Sequence, residues 1–108
     1  MLVNFREVND WLVARPEFPR LDALAAREFT SAMIDHCSGA DRLVLDLANV
    51  TFIDSRGLAT LVSIFKVLST GGILRLANVS DPVAILLTLT RLNTLFPSFG
   101  SVEEAITG

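Results

Sequence analysis

The sequence predicts a single α/β layered domain spanning residues 1–108. Three observations carry this. Leu43 to Leu47 is a short, almost unbroken apolar run, the pattern of a strand covered on both faces. Leu58, Leu61, Val62, Phe65 and Leu68 repeat at helical spacing. Strand-like and helix-like segments then alternate from residue 20 to the end, which implies a sheet layered with helices.

The elements follow in order. Met1 to Val8 sets Val3 and Phe5 against Asn4 and Arg6 at period two, and Trp11 to Ala14 is a second apolar run. Asn9-Asp10 between them reads as a hairpin turn, and Pro16 and Pro19 are expected to end the ladder. From Asp22, a candidate N-cap, a helix carries Ala25, Phe29, Ala32, Met33 and His36 on one stripe and ends at Ser38-Gly39. Thr51-Phe52-Ile53 runs as a strand into Asp54-Ser55-Arg56-Gly57, where the second helix begins, and Gly71-Gly72 closes that helix. Ile73 to Val79 reads as a strand. Ser80-Asp81-Pro82 starts a third helix with proline in its first turn. Leu92 to Phe99 reads as an apolar loop. Ser101 and Glu104 have the spacing of a capping box, so a short last helix follows.

Composition narrows the function. Of 108 residues, about half are apolar and 19% are charged, a globular balance. The formal net charge is −3 and the nine basic residues form no run, which argues against nucleic acid or an anionic membrane surface as partner. The lone Cys37 excludes an internal disulfide and any C-x-x-C zinc site, and fits a reducing, cytoplasmic setting. Arg6, Glu7 and Asp10 interrupt any leader-like apolar region, and no apolar stretch reaches bilayer length. No cofactor motif is present. Adjacent His36 and Cys37 point about a hundred degrees apart on a helix, a poor arrangement for a nucleophile and its base. Ser55 lacks an activating base and a nucleophile elbow, so a small serine-dependent enzyme is a minor alternative. His36 is expected to be a partly buried helix-end residue and Cys37 a small core residue.

The informative stretch is residues 52 to 58. A helix start leaves backbone N–H groups unpaired. Ser55 is a candidate N-cap, Asp54 favours the helix dipole, and Gly57 removes a side chain where another surface can approach. The plain reading is capping alone. The wider pattern adds to it. Val44-Leu45-Asp46-Leu47, then Phe52-Ile53-Asp54-Ser55-x-Gly57-Leu58, and the ending Leu92-x-x-Leu95-Phe96 to Phe99-x-Ser101-Val102-Glu103-Glu104-Ala105 resemble the STAS family, specifically its anti-sigma-factor antagonists. The resemblance is good over residues 41 to 108 and poor before Pro19.

That resemblance implies a mixed sheet of four or five strands with helices mainly on one face. It implies a non-enzymatic, cytoplasmic bacterial protein, monomeric or weakly dimeric, that acts by partner switching. The partner is an anti-sigma factor with serine kinase activity, which binds the ATP. Ser55 is the implied phosphorylation site, and a phosphatase resets it. The unphosphorylated form binds the partner and releases a sigma factor. Asp54, Ser55, Arg56 and Gly57, continuing through Ala59, Thr60 and Ser63, form the expected partner-binding face, with Leu58, Leu61 and Phe65 left for the core. Alternatives within the family are a subunit that binds an ABC-transporter ATPase in phospholipid transport, and a member of a stress-signalling assembly. One departure stands out: many antagonists carry Ser or Thr where this chain has Arg56. Its guanidinium can pair with a phosphate or contact an acidic partner.

Overall fold

The computed structural model describes residues 3 to 108; Met1 and Leu2, which the expected hairpin includes, lie outside the described residues. The chain opens with β1 (Val3–Val8) and β2 (Trp11–Pro16), paired antiparallel in register from Val3–Pro16 to Val8–Trp11. Asn9 and Asp10 both take positive φ, 49° and 69°, the left-handed pair that a tight two-residue hairpin needs and that Asn and Asp tolerate. Next come β3 (Arg20–Leu21), α1 (Ala23–Cys37), β4 (Arg42–Asp46), β5 (Phe52–Ile53), α2 (Ser55–Val67), β6 (Ile73–Ala77), α3 (Asp81–Leu89), a 3₁₀ turn (Leu92–Thr94), β7 (Ser98–Phe99) and α4 (Val102–Thr107).

The main sheet has five strands in the order β1-β2-β4-β6-β7, mixed because only the β1–β2 pair is antiparallel. β4 is central, as its apolar run requires. Its alternate residues divide the core. Leu43 and Leu45 face a large cluster with Phe29 and Met33 of α1, Leu61 and Ile64 of α2, and Val83 and Leu87 of α3. Val44 faces a small cluster with Trp11, Val13, Ala77 and Ala105 of α4. Three helices therefore cover one face and the short α4 covers the other. Arg75 secures α4: its guanidinium donates to the carbonyls of Ala105 (2.7 Å) and Gly108 (3.0 Å) and lies over the Trp11 ring.

Several expectations are corrected. Pro16 ends β2 as expected, opposite Val3, but Pro19 does not stop pairing. Pro19 opens a new ladder, because its carbonyl accepts from the N–H groups of Thr51 and Phe52. Residues 52–53 therefore pair parallel with Arg20–Leu21 in a separate two-stranded sheet, outside the main one. The buried stripe of α1 is Ala26, Phe29, Met33 and Cys37, rotated from the expected one. His36 is exposed at the flank, its ring stacked 3.9 Å from Phe5. The second helix ends at Val67, with Gly71 (φ 80°) in the turn beyond. The strand expected over Ile73 to Val79 is β6 and ends at Ala77. Leu92 to Phe99 is ordered into the 3₁₀ turn and β7, the latter paired with β6.

Candidate functional site

The site grows from two aspartates, each capping a helix. Asp22 Oδ1 accepts from the N–H groups of Leu24 and Ala25, both at 3.1 Å, and starts α1. Those backbone donors, Ala25 first, hold the Asp22 carboxyl below its ordinary range, with nearby Arg20 helping. Asp54 Oδ1 accepts from Gly57 N–H at 3.0 Å and starts α2. The sequence left the second cap to Ser55. The structure gives it to Asp54, whose extended backbone (φ −112°, ψ −172°) suits the position, while Ser55 is already the first helical residue.

Asp54 has a second task. Its other oxygen, Oδ2, accepts from Ala23 N–H at 3.1 Å. One carboxylate therefore ties the N-termini of α1 and α2 together. About two turns further along, the hydroxyls of Thr30 and Thr60 meet at 3.2 Å, and Thr60 donates to the Arg56 carbonyl at 3.1 Å. The two helices are pinned at both levels, and a groove of about 470 Å³ lies between them. Ala23, Ala26 and Arg27 form one wall; Arg56, Ala59 and Ser63 form the other.

The seven residues singled out in the sequence occupy two different situations. Ser55, Arg56, Ala59 and Ser63 are exposed and run along one side of α2. The Ser55 hydroxyl makes no hydrogen bond among the described residues, so it projects freely. Asp54 is half-buried in its capping role. Gly57 and Thr60 are buried. At Gly57 the surface that approaches is internal: a Cβ there would collide with the Leu21 carbonyl and lie 2.6 Å from Ile53 Cγ1. Thr60 lines the groove although it is only 3% exposed. Leu58 and Leu61 are buried as expected, Phe65 is half-buried, and Ile64 joins them in the core.

Sequence reasoning missed the contribution of α1. Leu24, 92% exposed, stands one residue from Ala23 and so beside the Asp54 junction. Arg27 faces Arg56 across the groove. Arg20 lies 4.0 Å over the ring of Phe52, extending the same rim. The available signal was their position off the buried α1 stripe. Cys37, by contrast, is wholly buried, and desolvation pushes its thiol up to about 11. With His36 exposed and Cys37 inside, the two do not form a catalytic pair. Among the described residues no group of three or more His, Cys, Asp or Glu side chains is arranged to hold a metal. No helix there is long and apolar enough to cross a membrane.

Comparison with known proteins agrees with this architecture. The family model described as the STAS domain matches residues 3–105. A STAS-domain anti-sigma-factor antagonist protein from Planctomyces limnophilus superimposes with TM-score 0.89 at 22% identity, covering 97% of this chain and 95% of that one. An anti-sigma factor antagonist from Mycobacterium paratuberculosis gives TM-score 0.88 at 20% identity, covering 98% and 91%. The Bacillus cell-fate determinant SpoIIAA in its phosphorylated form gives 0.70 at 21%, covering 98% and 97%. At these identities the likenesses show the shared fold.

Proposed function

This chain belongs to the STAS-domain family, and from that membership we propose that it is an anti-sigma factor antagonist working by partner switching, with Ser55 as the phosphorylated residue. The supporting observation is the exposed, unbonded Ser55 hydroxyl on a junction held rigid by Asp54. Everything beneath it is fixed, so its surroundings are preformed for a partner, while the hydroxyl itself is free to meet a bound nucleotide. In the transfer step the Ser55 Oγ forms a bond to the γ-phosphorus of ATP held by the partner. The bond to ADP breaks, and the hydroxyl proton passes to a base on the partner.

The unphosphorylated chain binds an anti-sigma factor with serine kinase activity and releases a sigma factor. Ser55, Arg56, Ala59 and Ser63 touch that partner, with Asp54, Gly57 and Thr60 setting their positions from behind. Phosphate adds roughly 1.5–2 negative charges at neutral pH. Those charges do not threaten the fold, because the start of a helix favours negative charge. The cost falls on the interface, where burying a phosphate without a matched cation is strongly unfavourable. A phosphatase removes the group and restores binding. The chain supplies no catalytic group and works in the cytoplasm.

Affinity capture with the full chain as bait, followed by titration of the purified partner, tests the reading. A histidine-kinase-like ATPase that binds the unphosphorylated chain and not the phosphorylated one is expected. Specific retention of an ABC-transporter ATPase instead would assign the chain to a transport complex and overturn the reading.

A further inference from the structure

We propose that a phosphate on Ser55 is gripped from two helices, by Arg56 of α2 and Arg27 of α1, so that phosphorylation closes the α1–α2 groove as well as adding charge. This rests on Ser55 being the phosphoacceptor.

The first observation is the state of the two arginines. Among the described residues they are the only charged ones lining the groove. Neither makes an ion pair or a side-chain hydrogen bond among the described residues. Of the other arginines, Arg15 pairs with Glu17, Arg20 with Asp22 and Phe52, and Arg75 with two carbonyls, while Arg6 and Arg91, likewise without such a partner among the described residues, do not line the groove. Two guanidiniums thus face each other over a floor of small residues, with no internal anion to answer them.

The second observation is position. Ala59 lines the groove, and Ser55 lies one turn before it on the same side of α2. Arg27 lies one turn after Ala23, whose N–H is bonded to Asp54, the residue before Ser55. It also lies before Thr30, whose hydroxyl meets Thr60. Arg27 is therefore bracketed between two fixed contacts to α2, about level with Gly57, and a helical side chain leans back toward the N-terminus, where Ser55 and Arg56 sit. Its long side chain needs only to swing toward the helix start. Arginine is the cation suited to this, since its planar fork can donate two parallel hydrogen bonds to one phosphate.

The other charged groups around Ser55 favour the same orientation. Asp54 is held in its two backbone bonds and repels a phosphate, and Asp22, which caps α1 and pairs with Arg20, adds to that field. Repulsion from Asp54 turns the phosphate away from the cap and toward the groove. Once gripped, it occupies both free cations and bridges the helices across the mouth of the groove. A partner then loses the cleft and its cations together.

The test installs phosphoserine at position 55 of the full chain during synthesis and follows the phosphate by phosphorus NMR across pH. A free phosphoserine loses its second proton near pH 6. The guanidiniums lower that value and the carboxylates raise it, and comparison of variants isolates the arginines. Arg27→Gln and Arg56→Gln should each move the transition upward by several tenths, and the double variant further. Phosphorylated wild type should also melt above the unphosphorylated chain, a gain lost in Arg27→Gln. Melts of the unphosphorylated variants verify that the fold is intact, and Arg27→Lys, which keeps charge without the fork, should show an intermediate effect. An unchanged transition in a folded Arg27→Gln protein, even with a response at Arg56, overturns the two-helix grip. Because the phosphate is built in, the result is independent of whether a kinase acts on Ser55, so the two readings fail separately.

Discussion

Gly57→Ala sets two effects of opposite sign against each other. Gly57 is the third residue of a 13-residue helix. By helix propensity alone, alanine should stabilise the protein by up to about 1 kcal/mol. Packing opposes this. The new methyl would collide with the Leu21 carbonyl and approach Ile53 Cγ1 to 2.6 Å and Leu21 Cγ to 3.0 Å. Overpacking of this kind costs about 1–3 kcal/mol, occasionally more. The Leu21 carbonyl cannot yield freely, because it accepts from Asp54 N–H at 3.3 Å. Displacing it forfeits that bond, worth about 1 kcal/mol. The net expectation is a loss of roughly 1–3 kcal/mol, which for a domain of this size lowers Tm by about 4–8 °C per kcal/mol. Urea denaturation and thermal melts measure it. An alanine variant as stable as wild type, or more stable, would refute the claim that Gly57 exists to admit the Leu21 backbone.

Asp54→Ala should cost about 1–2 kcal/mol, since it removes an N-cap and the link to Ala23, whereas Ser55→Ala should stay within about 0.5 kcal/mol because its hydroxyl is unbonded; chemical denaturation compares them. Ala59→Arg, an exposed change on the groove wall, should leave the melt intact and abolish partner binding by calorimetry. Leu61→Ala should do the reverse, destabilising by about 2–5 kcal/mol at a fully buried site. The Cys37 thiol, its value raised from 9.0 to about 11 by burial, keeps its proton in the folded state after the unfolded state has lost it. Stability should therefore fall as pH rises from 9 to 11, by up to about 1.4 kcal/mol per pH unit, and Cys37→Ala should remove that component of the slope. Native Cys37 should also resist a thiol reagent at pH 8 until the chain is unfolded.

Much of the architecture was legible because it rests on local chemistry. Asn9-Asp10 can occupy left-handed backbone, Asp22 and Ser101 can cap helices, and Leu43 to Leu47 has no polar face to expose. Less legible was whatever depends on packing between distant segments. Asp54 and Ser55 are both good caps, and only the pairing of Phe52–Ile53 with Arg20–Leu21 decides which one stands at the helix boundary. The family resemblance put Gly57 and Thr60 on the partner face, yet the β3 backbone covers Gly57 and the Thr30 hydroxyl of α1 meets Thr60. The stripe on α1 was misplaced because its alanines fit either side of the helix. The groove is shared between α1 and α2, so its α1 half, Ala23, Ala26 and Arg27, carried no motif of its own.

Incubation of the chain with ATP and the proposed anti-sigma partner, followed by phosphopeptide mapping, tests the assignment of Ser55. A single phosphate on Ser55 is expected, and complete loss of labelling in Ser55→Ala although that variant still binds the partner. Phosphate found mainly on Thr51 or Thr60, with Ser55 unmodified, would contradict it.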